Sequence, residues 1–160
     1  MFVTFCTAVR GDVLGTVIEG DVRLSSLGEL VAESLAAIPV HAEALVDCSV
    51  VMPDHVHAVI VVHGRAQSLP TVVSGVKARV TRLSGVAGLW QRSFYDHVVR
   101  DESDLARIRE YIATNPLRWH LARGSASVWA GQVPPLRQRA PLSGTSSRPE
   151  STSLRHPDDP

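Results

Sequence analysis

The 160 residues balance 16 Lys or Arg against 16 Asp or Glu and are 44% hydrophobic, the profile of an ordinary globular chain long enough for one core-bearing domain plus a tail. No apolar run approaches the length of a bilayer span and the opening residues do not read as a leader, so no membrane partner is expected and the cytoplasm is the expected compartment. The zero net charge hides a segregation: residues 1–63 hold two Arg against eight acids, a net of −6, whereas residues 77–123 hold nine Lys or Arg against five acids, a net of +4. A basic half of this size permits binding of an anionic polymer along one face, and equally occurs on inert surfaces.

Residues 2–8 have strand composition, residues 13–18 form a short second strand, and Gly20-Asp21 a turn. Ser25 or Ser26 can cap a helix whose Leu27, Leu30, Val31, Ser34, Leu35 and Ile38 share one face, with Glu29 and Glu33 outward and Pro39 as its stop. Residues 40–51 lead into a further strand element, interrupted near Asp47. The stretch V-V-M-P-D-H-V-H-A-V-I-V-V at 50–62 is β-branched without a helical stripe and is expected to be a buried central strand from about Met52 onward. His55 and His57 then project from one face, about 7 Å apart at the backbone, with Val56 anchored behind them. Such a pair can hold one cation or one phosphate rigidly, or be no more than two partly exposed histidines on a sheet. His63 falls on the same parity but about 20 Å further along, at the strand end.

Residues 71–83 read as a second helix with Val72, Val76, Val80 and Leu83 inward. Lys77, Arg79 and Arg82 lie on its more polar faces, either to meet phosphates or as a solvated surface. Residues 89–100, ending as a strand, hold three of the eight aromatics; beside Arg92 these could stack unpaired bases or belong to the core. Asp101 or Ser103 can cap a third helix from Asp104 to about Asn115, stopped by Pro116, with a short helical piece through Trp119. Leu105, Ile108 and Ile112 form its seam. Tyr111 and Asn115, one turn apart, share an edge beside that seam, where a phenol and an amide can face the packing partner or reach toward water. Residues 124–160, with 16 Ser, Pro or Gly among 37, read as a largely disordered tail after a domain of residues 1–123. Cys6 and Cys48 sit in apolar strand contexts as buried free thiols.

Three motifs in this order, M-P-D-H-V-H at 52–57, W-Q-R-S-F-Y-D-H-V-V-R-D at 90–101 and R-I-R-E-Y-I-A-T-N-P at 107–116, closely resemble the single-tyrosine HUH transposases, and within them the REP-associated tyrosine transposases. The resemblance covers residues 2–119. It implies an α/β (α+β) ferredoxin-like domain, a central antiparallel sheet with helices packed over it, acting on single-stranded or hairpin DNA. By match to the motifs, His55 and His57 are the metal ligands, Asn115 completes the set for Mg²⁺ or Mn²⁺, and Tyr111 is the nucleophile that forms a 5′-phosphotyrosine and frees a 3′-hydroxyl. A homodimer is compatible with it. Two other classes fit the same residues: a non-catalytic hairpin binder descended from such an enzyme, and a metal-dependent phosphoesterase. Two departures stand out. Asp54 occupies the position before the first histidine where the family usually has Asn, and Met1 abuts the first strand where relatives carry a preceding segment, so the chain is expected to start downstream of the true initiator. The remaining expectations are that Tyr95 is a packed ring and that neither histidine is needed for folding.

Overall fold

The structure, a computed structural model, describes residues 1–38, 43–63 and 68–124. The chain divides into a unit of Met1–Val128 and a second of Trp129–Pro160, the latter outside the described residues, as is all but Gly124 of the 124–160 stretch read above as a tail. The elements run β1 (Phe2–Cys6), β2 (Gly15–Ile18), β3 (Asp21–Leu24), α1 (Ser26–Ala36), β4 (Ala44–Val51), β5 (His55–Val62), α2 (Leu69–Ser84), β6 (Tyr95–His97) and α3 (Glu102–Gly124). Four strands make one antiparallel sheet in the order β4-β5-β1-β6. With α1 and α2 as the two crossovers this is the ferredoxin-like βαββαβ arrangement, into which the β2-β3 hairpin is inserted after β1 and to which α3 is appended.

Strand alternation decides what lies on each side. Val3 and Phe5 of β1 and Val56, Ala58 and Ile60 of β5 join Val31 and Leu35 of α1 and Val72, Val73, Val76 and Val80 of α2 in the main core. The opposite parity, Phe2 and Val59 with Cys48 and Val50, packs under Leu105, Ile108 and Ile112 of α3. Both faces are covered, which is why Val56 to Ile60 is buried without a break. His55 and His57 share the α3 face. The Ile108 and Ile112 seam therefore places α3 over the histidines, whereas α2 lies on the far side of the sheet.

Several local features differ from the sequence expectation. Val50 and Val51 end β4; Met52 to Asp54 is the hairpin turn, closed by the Met52 N–H donating to the His55 carbonyl at 2.8 Å, and β5 starts at His55. Pro53 is at home in such a turn because its φ is preset and no ladder hydrogen bond is asked of its nitrogen. The irregularity foreseen near Asp47 is a bulge: the register skips it between Val46 and Cys48. Residues 21–24, where only a turn at Gly20-Asp21 is expected, form β3, whose hairpin with β2 turns at Glu19 and Gly20, both with positive φ (53° and 88°). Leu83, expected inward, is 49% exposed.

The third helix does not stop at Pro116 but runs unbroken to Gly124. Proline removes one N–H and crowds the carbonyl four residues back, a cost its second half offsets with tertiary contacts. Leu117 lies against the β2-β3 turn, since a Cβ on Gly20 would sit 3.2 Å from Leu117 Cδ1. Arg123 holds both carboxylate oxygens of Asp12 at 2.7 and 3.1 Å. At the other end Asp101 is the cap, accepting from the Asp104 N–H at 2.8 Å.

The entry to α1 yields a stability prediction. Ser25 Oγ accepts from the Gly28 N–H at 3.1 Å and donates to the Val13 carbonyl at 2.8 Å, pulling the first turn onto the loop before β2. A Cβ on Gly28 would fall 1.9 Å from the Leu14 carbonyl oxygen, a backbone atom that cannot swing away. Gly28→Ala should therefore destabilise the domain by about 2–3 kcal/mol, read as a lowered urea midpoint, even though alanine is the better helix former.

Candidate metal and nucleophile site

The turn that presents the histidines is tied down before either side chain is considered. The Thr7 N–H and Oγ1 both donate to the Asp54 carbonyl, at 2.9 and 3.1 Å, and the Leu14 N–H donates to the Pro53 carbonyl at 2.9 Å. His55 and His57 leave this anchored strand start in the same direction, and their Nε2 atoms lie 3.1 Å apart. Behind each ring stands a second partner. Asp54 Oδ1 is 2.6 Å from His55 Nδ1, and Thr4 Oγ1, on the residue paired with His57 across β1 and β5, is 2.7 Å from His57 Nδ1. Asp54 is thus no third ligand pointing into the site; it backs His55, and the hydrogen bond from that ring is the main reason its carboxyl lies below the usual range.

His57 is 1% exposed, and its pKa is lowered to about 3, first by burial and then by the neighbouring His55. The ring is neutral at physiological pH, so one of its two nitrogens carries a lone pair in place of a hydrogen. Phe2 stacks on it at 5.5 Å between centroids, and Tyr111 of α3 meets it edge-on at 5.2 Å. The tyrosine that the motif match points to is therefore beside the histidine pair. Asn115 is buried one turn further along the same helix, and among the described residues no hydrogen bond joins it to either histidine. Among those residues no group of three or more His, Cys, Asp or Glu side chains could hold a metal ion. Two imidazole nitrogens 3.1 Å apart, with no thiolate beside them, are donors of a kind that a divalent cation such as Mn²⁺ accepts.

Two residues of the site were not singled out from the sequence. Arg118 places Cζ 5.7 Å from the centre of the Tyr111 ring, and Trp119 lies 5.7 Å from the His55 ring while Arg123 stacks over its indole at 4.5 Å. Both follow from the unbroken helix: at 100° per residue, positions 111, 115, 118 and 119 fall within an arc of about 100°. Of the four arginines in α3, Arg107, Arg109 and Arg123 are paired with Asp104, Asp47 and Asp12, and among the described residues Arg118 has no carboxylate partner.

The proposed DNA-contacting cations are dispersed. Lys77, Arg79 and Arg82 belong to α2, across the sheet from the histidines. Lys77 donates to the carbonyls of Gln91 and Ser93 at 2.9 and 3.1 Å and lies over the Phe5 and Phe94 rings, so its ammonium is already engaged. Arg79 is half-buried and Arg82 exposed. Arg92 is exposed and follows Gln91, whose N–H donates to the Cys6 carbonyl; since Cys6 is the cross-strand neighbour of His55, Arg92 sits at the histidine end of the sheet. Trp90 packs on Phe5 at 5.3 Å and donates to the Lys77 carbonyl, and Phe94 packs against the core, so these rings are not presented for base stacking. Tyr95 is 44% exposed, contrary to the packed ring expected. Cys6 and Cys48 are free and half-buried; burial raises both thiols, Cys48 to about 11, which makes neither a nucleophile.

No protein-family model matches the chain. An uncharacterized protein of Haemophilus influenzae is 28% identical over 74% of this chain and 80% of its own length. A second protein of that organism, named "Putative REP-associated tyrosine transposase", is 27% identical over 42% of this chain, which spans about half (47%) of that relative. Among solved structures, a REP-associated tyrosine transposase bound to a REP hairpin superposes with a TM-score of 0.62 at 21% identity, covering 83% of this chain and 86% of that one. The resemblance to the REP-associated tyrosine transposases carried by the three motifs is thus repeated in the fold and in a named sequence relative.

Proposed function

We propose that the protein is a transposase-like enzyme that binds hairpin DNA and cleaves and rejoins an adjacent single strand through a covalent tyrosine intermediate. The observation that carries this reading is the convergence of the His55 and His57 Nε2 atoms with the Tyr111 ring packed against His57. The fold is shared with a solved transposase whose structure holds a REP hairpin, which supports the choice of substrate.

In this reading the Tyr111 oxygen attacks phosphorus in line; a P–O bond to tyrosine forms, the P–O3′ bond breaks, and the 3′-oxygen leaves with a proton as a hydroxyl. His55, His57 and Asn115 would hold the divalent cation, which when bound supplies charge neutralisation at a non-bridging phosphate oxygen. Asp54 and Thr4 fix the two imidazoles, and Phe2 holds the His57 ring. Attack on the phosphotyrosine by another 3′-hydroxyl reverses the step and rejoins strands without ATP. The test is incubation with single-stranded hairpin oligonucleotides and Mn²⁺ or Mg²⁺, followed by intact-mass measurement. A protein-DNA adduct is expected. A shifted hairpin without any adduct would make the protein a non-catalytic hairpin binder, and hydrolysis of a small phosphodiester without an adduct would make it a phosphoesterase.

Placement of the cations predicts where affinity comes from. Hairpin binding should weaken as salt rises, and Arg118→Gln should flatten that dependence by about 0.7–0.9 in log-log slope, the share of one phosphate contact. Arg82→Gln, on the far side of the sheet, should change it little. Equal effects of the two substitutions in a fluorescence-anisotropy titration would show that the strand does not run over the α3 face.

A further inference from the structure

The two imidazoles of the pair are held by partners of different chemistry. A carboxylate offers lone pairs only, so the 2.6 Å contact with Asp54 requires His55 Nδ1 to carry the hydrogen, which leaves Nε2 of the neutral ring as a lone pair aimed at His57. The Thr4 hydroxyl can donate or accept, so its 2.7 Å contact suits either tautomer of His57. Two Nε2 lone pairs 3.1 Å apart repel unless a proton or a cation lies between them. One ring is locked and the other is free to choose.

We propose that Thr4 is a positioning residue that lets His57 change tautomer when a divalent cation binds, while Asp54 keeps His55 fixed in the binding form. The proposal rests on the reading of His55 and His57 as metal ligands. In the metal-free protein His57 carries its hydrogen on Nε2 and donates it to His55 Nε2, and Thr4 donates to His57 Nδ1. On loading, Nε2 gives its proton to solvent and Nδ1 takes one from solvent, so the ring stays neutral and no net proton is released. The Thr4 hydroxyl turns to accept from the new Nδ1–H, and both Nε2 lone pairs face the cation. Thr4 is 5% exposed and is the cross-strand partner of His57, so the hydroxyl is built into the sheet. Phe2 against one face of the ring and Tyr111 at its edge hold the imidazole in place, so the hydrogen moves and the ring does not.

The experiment combines Mn²⁺ binding followed by electron paramagnetic resonance with long-range ¹⁵N NMR of the imidazoles, using Zn²⁺ as the diamagnetic probe. In the wild type, His55 should show Nδ1–H throughout, and His57 should change from Nε2–H to Nδ1–H on adding Zn²⁺. Thr4→Val, which keeps the shape but offers no acceptor, should bind Mn²⁺ about 10–100-fold more weakly, and Thr4→Ser should restore binding to within about 3-fold. Nδ1–H on His57 already in the metal-free protein, or Mn²⁺ affinity unchanged in Thr4→Val, overturns the switch while leaving the metal-ligand reading in place. Failure of the wild type to bind either ion overturns both. Should Thr4→Val not fold, by circular dichroism, the wild-type NMR comparison decides alone.

Discussion

Tyr111→Phe should eliminate the covalent protein-DNA adduct, lowering its yield by more than about 1,000-fold, while hairpin binding and thermal stability stay near those of the wild type. The substitution removes one oxygen and keeps the ring that packs on Phe2 at 6.1 Å and on His57 at 5.2 Å, so loss of the adduct could not be blamed on loss of packing. Tyr95 is the control with real force. It is 44% exposed and its residue pairs with Thr4, which in turn pairs with His57, so the two side chains occupy one row of the sheet on the α3 face. Burial therefore gives no ground for dismissing Tyr95; position does. Two strand spacings, about 10 Å, separate it from His57 along that row, whereas the Tyr111 ring touches His57. Tyr95→Phe should leave the adduct intact. A DNA-linked peptide containing Tyr95, or an adduct surviving in Tyr111→Phe, would transfer the nucleophile's role.

What the sequence disclosed and what it hid both follow from the range of the interactions involved. The His-apolar-His alternation and the Tyr111-Asn115 edge are local periodicities, and each appears in the fold on the face anticipated. The sheet order is shown by no local pattern, but the three motifs together carried it through resemblance. Arg118 and Trp119 were hidden by a rule correctly applied to the wrong case: proline usually ends a helix, and here contacts of Leu117, Trp119 and Arg123 with the β2-β3 turn, His55 and Asp12 carry it on. The role of Thr4 depends on strand register between residues 53 positions apart, which no window along the chain reports. Asp54 was visible as a departure from the family, but whether its carboxylate enters the site or backs a ligand depends on the turn geometry. Lys77 reads in the sequence only as a cation on a polar helix face, and its hydrogen bonds to backbone carbonyls of the following loop depend on how that loop folds back over α2.

His57 and His55 should not behave alike when replaced, although the sequence treats them as equivalent ligands. Either change to alanine should abolish cleavage. His55 is half-buried near the turn, and His55→Ala should cost about 1 kcal/mol of stability or less. His57 is buried against Phe2 and hydrogen-bonded to Thr4, so His57→Ala opens a void and strands a hydroxyl, at about 3 kcal/mol. Its pKa adds a signature in pH. A histidine held at about 3 in the fold and near 6.5 in the unfolded chain makes the unfolded state the stronger proton binder between those values. Its stabilising share is fully present above about pH 6.5 and is lost as pH falls toward 3, at about 1.4 kcal/mol per unit. Asp47, Asp54 and Asp104, all lowered from the usual carboxylate value, also lose stability in acid, but only below about pH 4. The window from pH 7 to 5 therefore isolates histidine. In chelator-treated protein the wild type should lose about 2 kcal/mol across that window by urea denaturation, and His57→Gln, which cannot titrate, should lose far less. Parallel losses in the two proteins would show that His57 is readily protonated in the fold and is not the buried neutral imidazole described above.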